Sequence, residues 1–569
     1  MRIRQLSIRN FRGICELDWS LPDRRIFCLI GKGDSTKSTI LEAIRRVFHP
    51  QWNLSFNDSD FHGCDPKRKV KIEVVITDLP ESFRDLNNYG HQLCGWNKET
   101  LQVEDDPGDE LEDALRIRLS VTDDLEPAWH VVKGEKDDGV RFKPTDRAKA
   151  TVTFIGSAAD RDLTWSRGSL LSQLTDGENI QASLAEAARA ARTSMAAQRE
   201  SALKKFDEVA SQAEKTAKLL GVRVATTYKA DLDSDGLNVR LGGLAIHDGA
   251  VPVRQLGLGS RRMLITGLRQ QVVSKPHITL IDEIESGLEP QRIARLLNHL
   301  CKDEHGQYFL TTHSPVVLRE LKVEDLQIVH HVEGKTDVIS AKQPSVAESI
   351  QGRIRQSAES FLCPRIVVCE GATEAGFLRG LDEYWMARGR EPLAYQGVSC
   401  FDAKTANKVK GIAGDLIRLG YAVCVIADSD APTQFSANDV KELREVGVEV
   451  VVWSDGRSIE EAVIQDLTWP GVLASFDVAC EILGDVEVRL SQTATQFDGE
   501  FNRNRAAWSE SPKLRAAIAK AAKVSDWFKR QSNAERWVAA ISTYFEDDAI
   551  KDKDFILKLT QLRAWIDRG

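Results

Sequence analysis

Five consecutive apolar residues, Ile26-Phe27-Cys28-Leu29-Ile30, run straight into Gly31-Lys32-Gly33-Asp34-Ser35-Thr36-Lys37-Ser38, and an amphipathic helical pattern covers residues 39–48. An apolar run of this length reads as a strand buried on both faces, which is the habit of parallel sheets covered by helices. A glycine-rich loop between such a strand and a helix cradles phosphate. Its backbone N–H groups and the helix N-terminus face the anion, its lysine reaches the outer phosphates, and its serine or threonine binds magnesium. The order restricts this part of the chain to an α/β nucleotide-binding fold. Gly31, Gly33, Thr36, Lys37, Ser38 and Thr39 are the expected nucleotide contacts, with Ser38 on the magnesium. One position departs from GxxxxGK[ST]: Thr36 stands where a glycine precedes the lysine. A side chain there puts the rate of hydrolysis, more than binding, in question.

Three further segments complete that site. HITLIDEIESG at 277–287 is an apolar strand ending in Asp282-Glu283. Asp282 is expected to hold magnesium through water, and Glu283 to polarise the attacking water. YFLTTHSP at 308–315 is a strand ending in His313, placed to sense the terminal phosphate. Gln255-Leu256-Gly257-Leu258-Gly259-Ser260-Arg261-Arg262 precedes an apolar helix and presents Ser260 and backbone donors to a second nucleotide. Together these features resemble ABC-type ATPases of the RecF and SMC kind over about residues 1–335. That resemblance implies an ATP-dependent head-to-head dimer.

A second α/β rhythm runs through 365–465. The strand Arg365-Ile366-Val367-Val368-Cys369 ends at Glu370, and Glu374 follows in the first helical turn. AVCVIADSD ends at Asp428 and Asp430, and VEVVVW at 448–453 leads to Glu460 and Glu461. Three consecutive strands are thus expected to deliver carboxylates from their C-terminal ends, where α/β sheets build their sites. Clustered carboxylates repel unless cations compensate, and oxygen-rich sites suit Mg2+ or Mn2+. Two such ions about 4 Å apart activate water and stabilise the leaving oxygen in phosphodiester cleavage.

This second pattern is similar to a Toprim domain, shared by topoisomerases, primases and certain nucleases. A topoisomerase needs a tyrosine-bearing cleavage domain, and a chain with seven tyrosines has no room for one. A primase of this type needs a zinc-binding domain, yet none of the ten cysteines forms a CxxC pair. An ABC-type ATPase followed by Toprim resembles the OLD (overcoming lysogenization defect) family. Phe56-Asn57-Asp58-Ser59-Asp60-Phe61-His62 is similar to the corresponding segment of Gabija antiphage nuclease subunits in that family. The resemblance implies metal binding by Glu370, Glu374, Asp428, Asp430 and Glu460, with Glu461 a weaker candidate. It also implies a C-terminal lysine that stabilises charge at the phosphate. Lys523 and Lys529 both qualify, with Lys523 slightly preferred. Arg503, Arg505, Lys513, Arg515, Lys520 and Arg530 make that region basic enough to hold a DNA backbone.

The implied organisation is an ABC-type ATPase head in two parts, 1–165 and 226–345. A helical insertion at 166–225 between them is expected to serve dimerisation. A Toprim nuclease core at 362–470 and a helical C-terminal part at 471–569 follow. The run 181–220 supports the insertion, since it is rich in Ala, Glu, Lys and Leu without Pro or Gly. The formal charge of −9 argues against a chain coated in basic charge for nucleic acid, so any such contact is local. Cys28, Cys369 and Cys424 sit in apolar runs and read as reduced core thiols of a cytoplasmic protein. No apolar stretch of about 18 residues suggests a membrane span. The resulting expectation is a homodimeric or tetrameric DNA endonuclease, regulated by ATP and dependent on divalent metal, in antiphage defence. The rivals are a RecF- or SMC-like DNA clamp or sensor, and an effector that cuts only with a helicase-like partner or a retron.

Overall fold

The computed structural model describes residues 1–51, 53–134, 139–150, 152–156, 163, 170–171, 204–232, 244–272 and 277–568. The chain divides into two compact units, Met1–Ala341 and Lys342–Gly569. Among the described residues, no helix is long and apolar enough to cross a membrane.

Among its described residues, the first unit is built on a 14-stranded sheet. One end of it is parallel, with Val152–Ile155, His277–Ile281, Gly306–Thr311, Ile26–Ile30 and Leu326–Val332 side by side in that order from the edge. Ile26–Ile30, His277–Ile281 and Gly306–Thr311 are buried at every residue, as strands covered on both faces must be. Lys335–Ser340 then links this parallel part to Ile14–Ser20, Arg2–Phe11, Val70–Thr77 and Glu112–Val121, which pair antiparallel. Simple alternation would send Ile3 and Leu6 to opposite faces. A register shift between Ile3 and Gln5 re-phases the strand, and Ile3, Leu6 and Ile8 all reach the core.

Part of the expected insertion at 166–225 is described, as the helix Lys204–Leu219; residues 172–203 lie outside the described residues. Val209, Ala210, Ala213 and Ala217 of this helix share a core with Met263, Leu264 and Leu268 of the helix Leu258–Val272. Gly267 lets the two approach, since a Cβ there would stand 2.3 Å from Thr216 Cγ2. The apolar face of this described part is therefore covered inside its own unit.

The second unit has a four-stranded, all-parallel sheet in the order Val398–Asp402, Arg365–Cys369, Ala422–Ala427, Glu449–Val452. The expectation of three consecutive strands needs correction. Val398–Asp402 intervenes in the chain but joins the far edge, so the three strands preceding the acids remain neighbours. Helix Ala372–Met386 leaves the first acidic strand and packs on Gln531–Ile541. A Cβ at Gly376 would lie 2.2 Å from the backbone oxygen of Gln531, and one at Gly380 2.6 Å from Val538 Cβ. Only glycine permits that approach. Trp527 and Trp537 are fully buried, and Phe528 stacks on Trp537 at 4.0 Å. The segment carrying Lys529 is thereby anchored beside the start of the Glu374 helix.

Candidate functional site

In the first unit, adjacent parallel strands deliver the phosphate loop, Asp282 and His313 from their C-terminal ends. Gly31 has φ +141°, and a Cβ there would meet the Val329 carbonyl oxygen at 2.6 Å. The loop feeds helix Lys37–Val47, whose first residues are Lys37, Ser38 and Thr39. Ser38 Oγ donates to Asp282 Oδ1 at 2.8 Å, and Thr311 Oγ1 donates to the same oxygen at 2.6 Å. The magnesium-binding pair expected from sequence is thus in contact. Lys37 is buried, and its ammonium donates to the carbonyls of Gly31 (3.0 Å) and Lys32 (2.7 Å) and to Ser35 Oγ (3.0 Å). Burial lowers its pKa to about 8, against the opposing pull of Asp34, Asp282 and Glu285.

Thr36 takes φ +66°, the left-handed conformation that a glycine would adopt freely. Two neighbours accommodate it. Gly13 gives its methyl space, with the Cβ position of Gly13 3.2 Å from Thr36 Cγ2. Thr336 Oγ1 lies 3.2 Å from the Thr36 hydroxyl, and His331 Nδ1 lies 2.9 Å from Thr336 Oγ1. Gly33 has open space around it.

Glu283 has φ +46°, receives the Ser286 hydroxyl at 2.9 Å, and directs its own N–H to Thr311 Oγ1 at 2.7 Å. His313 is exposed, and Glu285 governs its position: Oε1 accepts the His313 N–H at 2.6 Å and Oε2 accepts the Thr312 hydroxyl at 2.7 Å. Sequence reasoning passed over Glu285; its only signal was its place three residues after Asp282. Ser260 Oγ is held by Arg292 at 3.1 Å. Arg262, two residues on and 3% exposed, donates to the Asp282 carbonyl. A Cβ on Gly259 would stand 2.0 Å from the Gly287 carbonyl oxygen. The segment bearing Ser260 is therefore fixed directly to the turn that follows Asp282-Glu283.

In the second unit, Glu370, Glu374, Asp428 and Glu460 line one pocket of about 290 Å³ together with Lys529. Glu370 Oε2 accepts the Asp428 N–H at 2.9 Å, and Asp428 Oδ1 accepts the Ile459 N–H at 2.8 Å. Glu374 accepts the Gly371 N–H at 2.8 Å at the start of its own helix. Burial raises the pKa of all four carboxyl groups, and mutual repulsion adds to the rise for Glu370, Glu374 and Asp428, with Glu374 pushed up to about 8. Burial alone would lower the Lys529 ammonium. Glu460, Asp526, Glu374 and Asp428 outweigh burial and hold it above its usual value.

The remaining candidates do not line this pocket, although the charge of Asp430 still repels Glu370 and Asp428. Asp430 and Glu461 form ion pairs with Lys523 at 2.8 and 2.9 Å, and Glu461 also closes the capping box on Ser458. Lys529 lines the pocket, whereas Lys523, the lysine slightly preferred from sequence, pairs with Asp430 and Glu461. Asp402 and Lys404, which sequence reasoning missed, also line it. Asp402 accepts the Lys404 N–H at 2.8 Å and its ammonium at 2.6 Å, and Lys404 has φ +70°. The signal was available, since VSCFD is another strand ending in an acid. The basic region is weaker than its composition suggests, because Arg503, Arg505, Lys513 and Arg515 are each ion-paired to a nearby acid. Among the described residues, no three acidic, histidine or cysteine side chains close on one point as an ion's cage would. The donors are nonetheless all hard carboxylate oxygens, short of positive charge, which is the chemistry Mg2+ and Mn2+ select.

The family models that match fall within the first unit. Residues 1–131 match the family model described as "AAA ATPase domain". Residues 140–319 match the one described as "AAA domain, putative AbiEii toxin, Type IV TA system". Among solved structures, the chain is similar to the SMC head domain from Thermotoga maritima at 15% identity and a TM-score of 0.31, over 60% of this chain and 100% of that one. It is similar to an Smc head with an extended coiled coil bound to the C-terminal domain of ScpA, derived from Pyrococcus furiosus, at 13% identity and a TM-score of 0.38, over 59% and 95%. It is also similar to an Smc head bound to the C-winged helix domain of ScpA, at 15% identity and a TM-score of 0.38, over 60% and 98%. No curated protein matches. The phosphate loop, the Asp282-Glu283 strand end and His313 all fall inside the two matched stretches, and the chain carries AAA-type ATPase domains there.

Proposed function

We propose that this protein is a divalent-metal-dependent DNA endonuclease controlled by nucleotide at its ATPase unit, of the OLD type and serving antiphage defence. The observation that carries this reading is the meeting of Glu370, Glu374, Asp428 and Glu460 with Lys529 in one pocket at the C-terminal edge of a parallel sheet. Four acids in one pocket are costly without cations, and a scaffold gains nothing from them. Glu370, Glu374, Asp428 and Glu460 would hold Mg2+ or Mn2+, which when bound supplies an activated water and stabilises the leaving oxygen. Lys529 meets the negative charge of the phosphate, and Lys404, which lines the same pocket, would hold the flanking backbone. Asp428 orients the start of helix Ile459–Asp466 and so the Glu460 carboxylate.

On the ATPase side, Lys37, Ser38 and Asp282 bind ATP with Mg2+, Glu283 polarises water, and His313 reads the terminal phosphate. Ser260 completes the site of a second copy, so nucleotide state sets the pairing of two heads and, in a homodimer or tetramer, access to the pocket. A helicase-like partner or a retron component supplies the trigger in one version of this scheme.

A second reading, a RecF- or SMC-like ATP-driven DNA clamp that does not cut, draws on the lack of a closed three-ligand cage among the described residues. Plasmid cleavage in Mn2+ by the native chain and by Asp428→Ala separates the two. The nuclease reading predicts that the variant loses cleavage and keeps ATP binding. Cleavage retained at saturating metal would overturn it.

A further inference from the structure

The acids of the second unit fall into two groups with different counter-charges. Glu370, Glu374, Asp428 and Glu460 share the pocket. Asp430 and Glu461 lie beside the pocket without lining it, and a single ammonium sits between them. Lys523 Nζ lies 2.8 Å from Asp430 Oδ2 and 2.9 Å from Glu461 Oε2. Both separations are those of charge-assisted hydrogen bonds.

This lysine is delivered by a fixed element. It occupies the last turn of helix Pro512–Val524, which packs on helix Ile459–Asp466. Arg515, two turns earlier, donates to the carbonyls of Ile464 (2.8 Å) and Leu467 (2.6 Å) at the far end of that second helix. Lys523 and Arg515 therefore grip Ile459–Asp466 at both ends. One grips through Glu461 in the first turn, the other through the unsatisfied carbonyls of the last.

One oxygen from each of two carboxylates, both within 3 Å of one cation, is also how carboxylates share a divalent ion. Resting on the proposed reading of the neighbouring pocket as a divalent-cation site, we infer that Lys523 is a resident counter-ion that closes the Asp430–Glu461 half of that site. The chain then takes one divalent ion, in the pocket. A second ion enters only when Lys523 gives up Asp430 and Glu461. The side chain is 31% exposed and sits on a flexible four-carbon stem, so it has a route out to solvent.

The test is Mn2+ stoichiometry by isothermal titration calorimetry on the nucleotide-free full chain, with Asp428→Ala as the reference that defines pocket binding. The expected result is one ion per chain in the native protein and two in Lys523→Ala, the second at least about tenfold tighter than any second-ion binding by the native chain. Lys523→Arg should return to one. Lys523→Met keeps the stem and serves if the alanine variant folds poorly. One ion in the native protein with the same count in Lys523→Ala and Lys523→Met overturns the inference alone, as does a native chain that already takes two. No Mn2+ bound by any of these proteins overturns the pocket reading and the inference together.

Discussion

The carboxylate of Glu370 accepts the backbone N–H of Asp428 at 2.9 Å, so the acid ending one strand is fastened to the acid ending its neighbour. The parallel register that aligns Cys369 with Ile426 brings the two strand ends level. Asp428 passes the connection on by capping the helix that holds Glu460. Three acids on three elements are therefore set by backbone geometry, and their charges are crowded together whether or not a cation is present.

That crowding makes stability depend on pH. Burial, then repulsion from Glu460 and Glu370, raises the Glu374 carboxyl from 4.5 to about 8. Between those values the folded chain keeps a proton that the unfolded chain has lost, so its contribution is complete below 4.5 and falls away as pH rises through 8. Glu374→Gln removes the titration. In metal-free denaturant melts the variant's gain over the native chain should be larger at pH 8.5 than at pH 5.5 by on the order of 3 kcal/mol. Excess Mn2+ should erase or reverse that gain, because the ion binds the ionised acids. An equal effect at both pH values would contradict the assignment.

Gly376 sets how closely the Lys529 segment approaches those acids. An alanine Cβ there would lie 2.2 Å from the Gln531 backbone oxygen, too close for either helix to stay in place. Gly376→Ala should cost about 1–3 kcal/mol in thermal or denaturant unfolding. It should also reduce cleavage more than the stability loss explains, since Lys529 is carried away with Gln531. A variant as active and as stable as the native chain would show that the Lys529 segment is positioned by something else.

Much of this was legible in the sequence. The strand-loop-helix order around Gly31–Ser38, the strand ends at Asp282 and His313, and the acids at 370, 374, 428 and 460 each follow a local pattern with a physical cause. The structure gathers them as two sets. What stayed hidden depends on tertiary contacts. Glu285 acts through the Thr312 hydroxyl and the His313 N–H, which follow a different strand. The partition of Lys523 and Lys529 depends on a helix packing that glycine spacing at 376 and 380 permits but does not announce. The pairing of Arg503, Arg505, Lys513 and Arg515 with acids from other segments is likewise invisible to a count of charges.

Thr36 holds a left-handed conformation that costs a β-branched residue about 1–2 kcal/mol and glycine little. Thr36→Gly should tighten ATP binding about 3–10-fold, measured by anisotropy of a fluorescent ATP analogue. Weaker binding would mean that the 3.2 Å contact between the Thr36 and Thr336 hydroxyls holds the loop in its binding conformation, and that relief of strain is secondary.

Glu285 holds the His313 N–H and the Thr312 hydroxyl with separate oxygens. Glu285→Gln keeps one acceptor and loses the other, so His313 should drift from the terminal phosphate. ATP turnover is expected to fall about tenfold or more, with affinity within about twofold of native. Steady-state hydrolysis alongside equilibrium binding makes the comparison. Unchanged turnover would remove Glu285 from the account.

The most direct measurement is cleavage of supercoiled plasmid by the purified full chain in Mg2+ or Mn2+, with and without ATP. The account predicts nicked and linear products that require the divalent ion, at a rate that changes when ATP is added. Plasmid left intact under every condition while the chain binds DNA and hydrolyses ATP would contradict it, and would make the second unit a binding module.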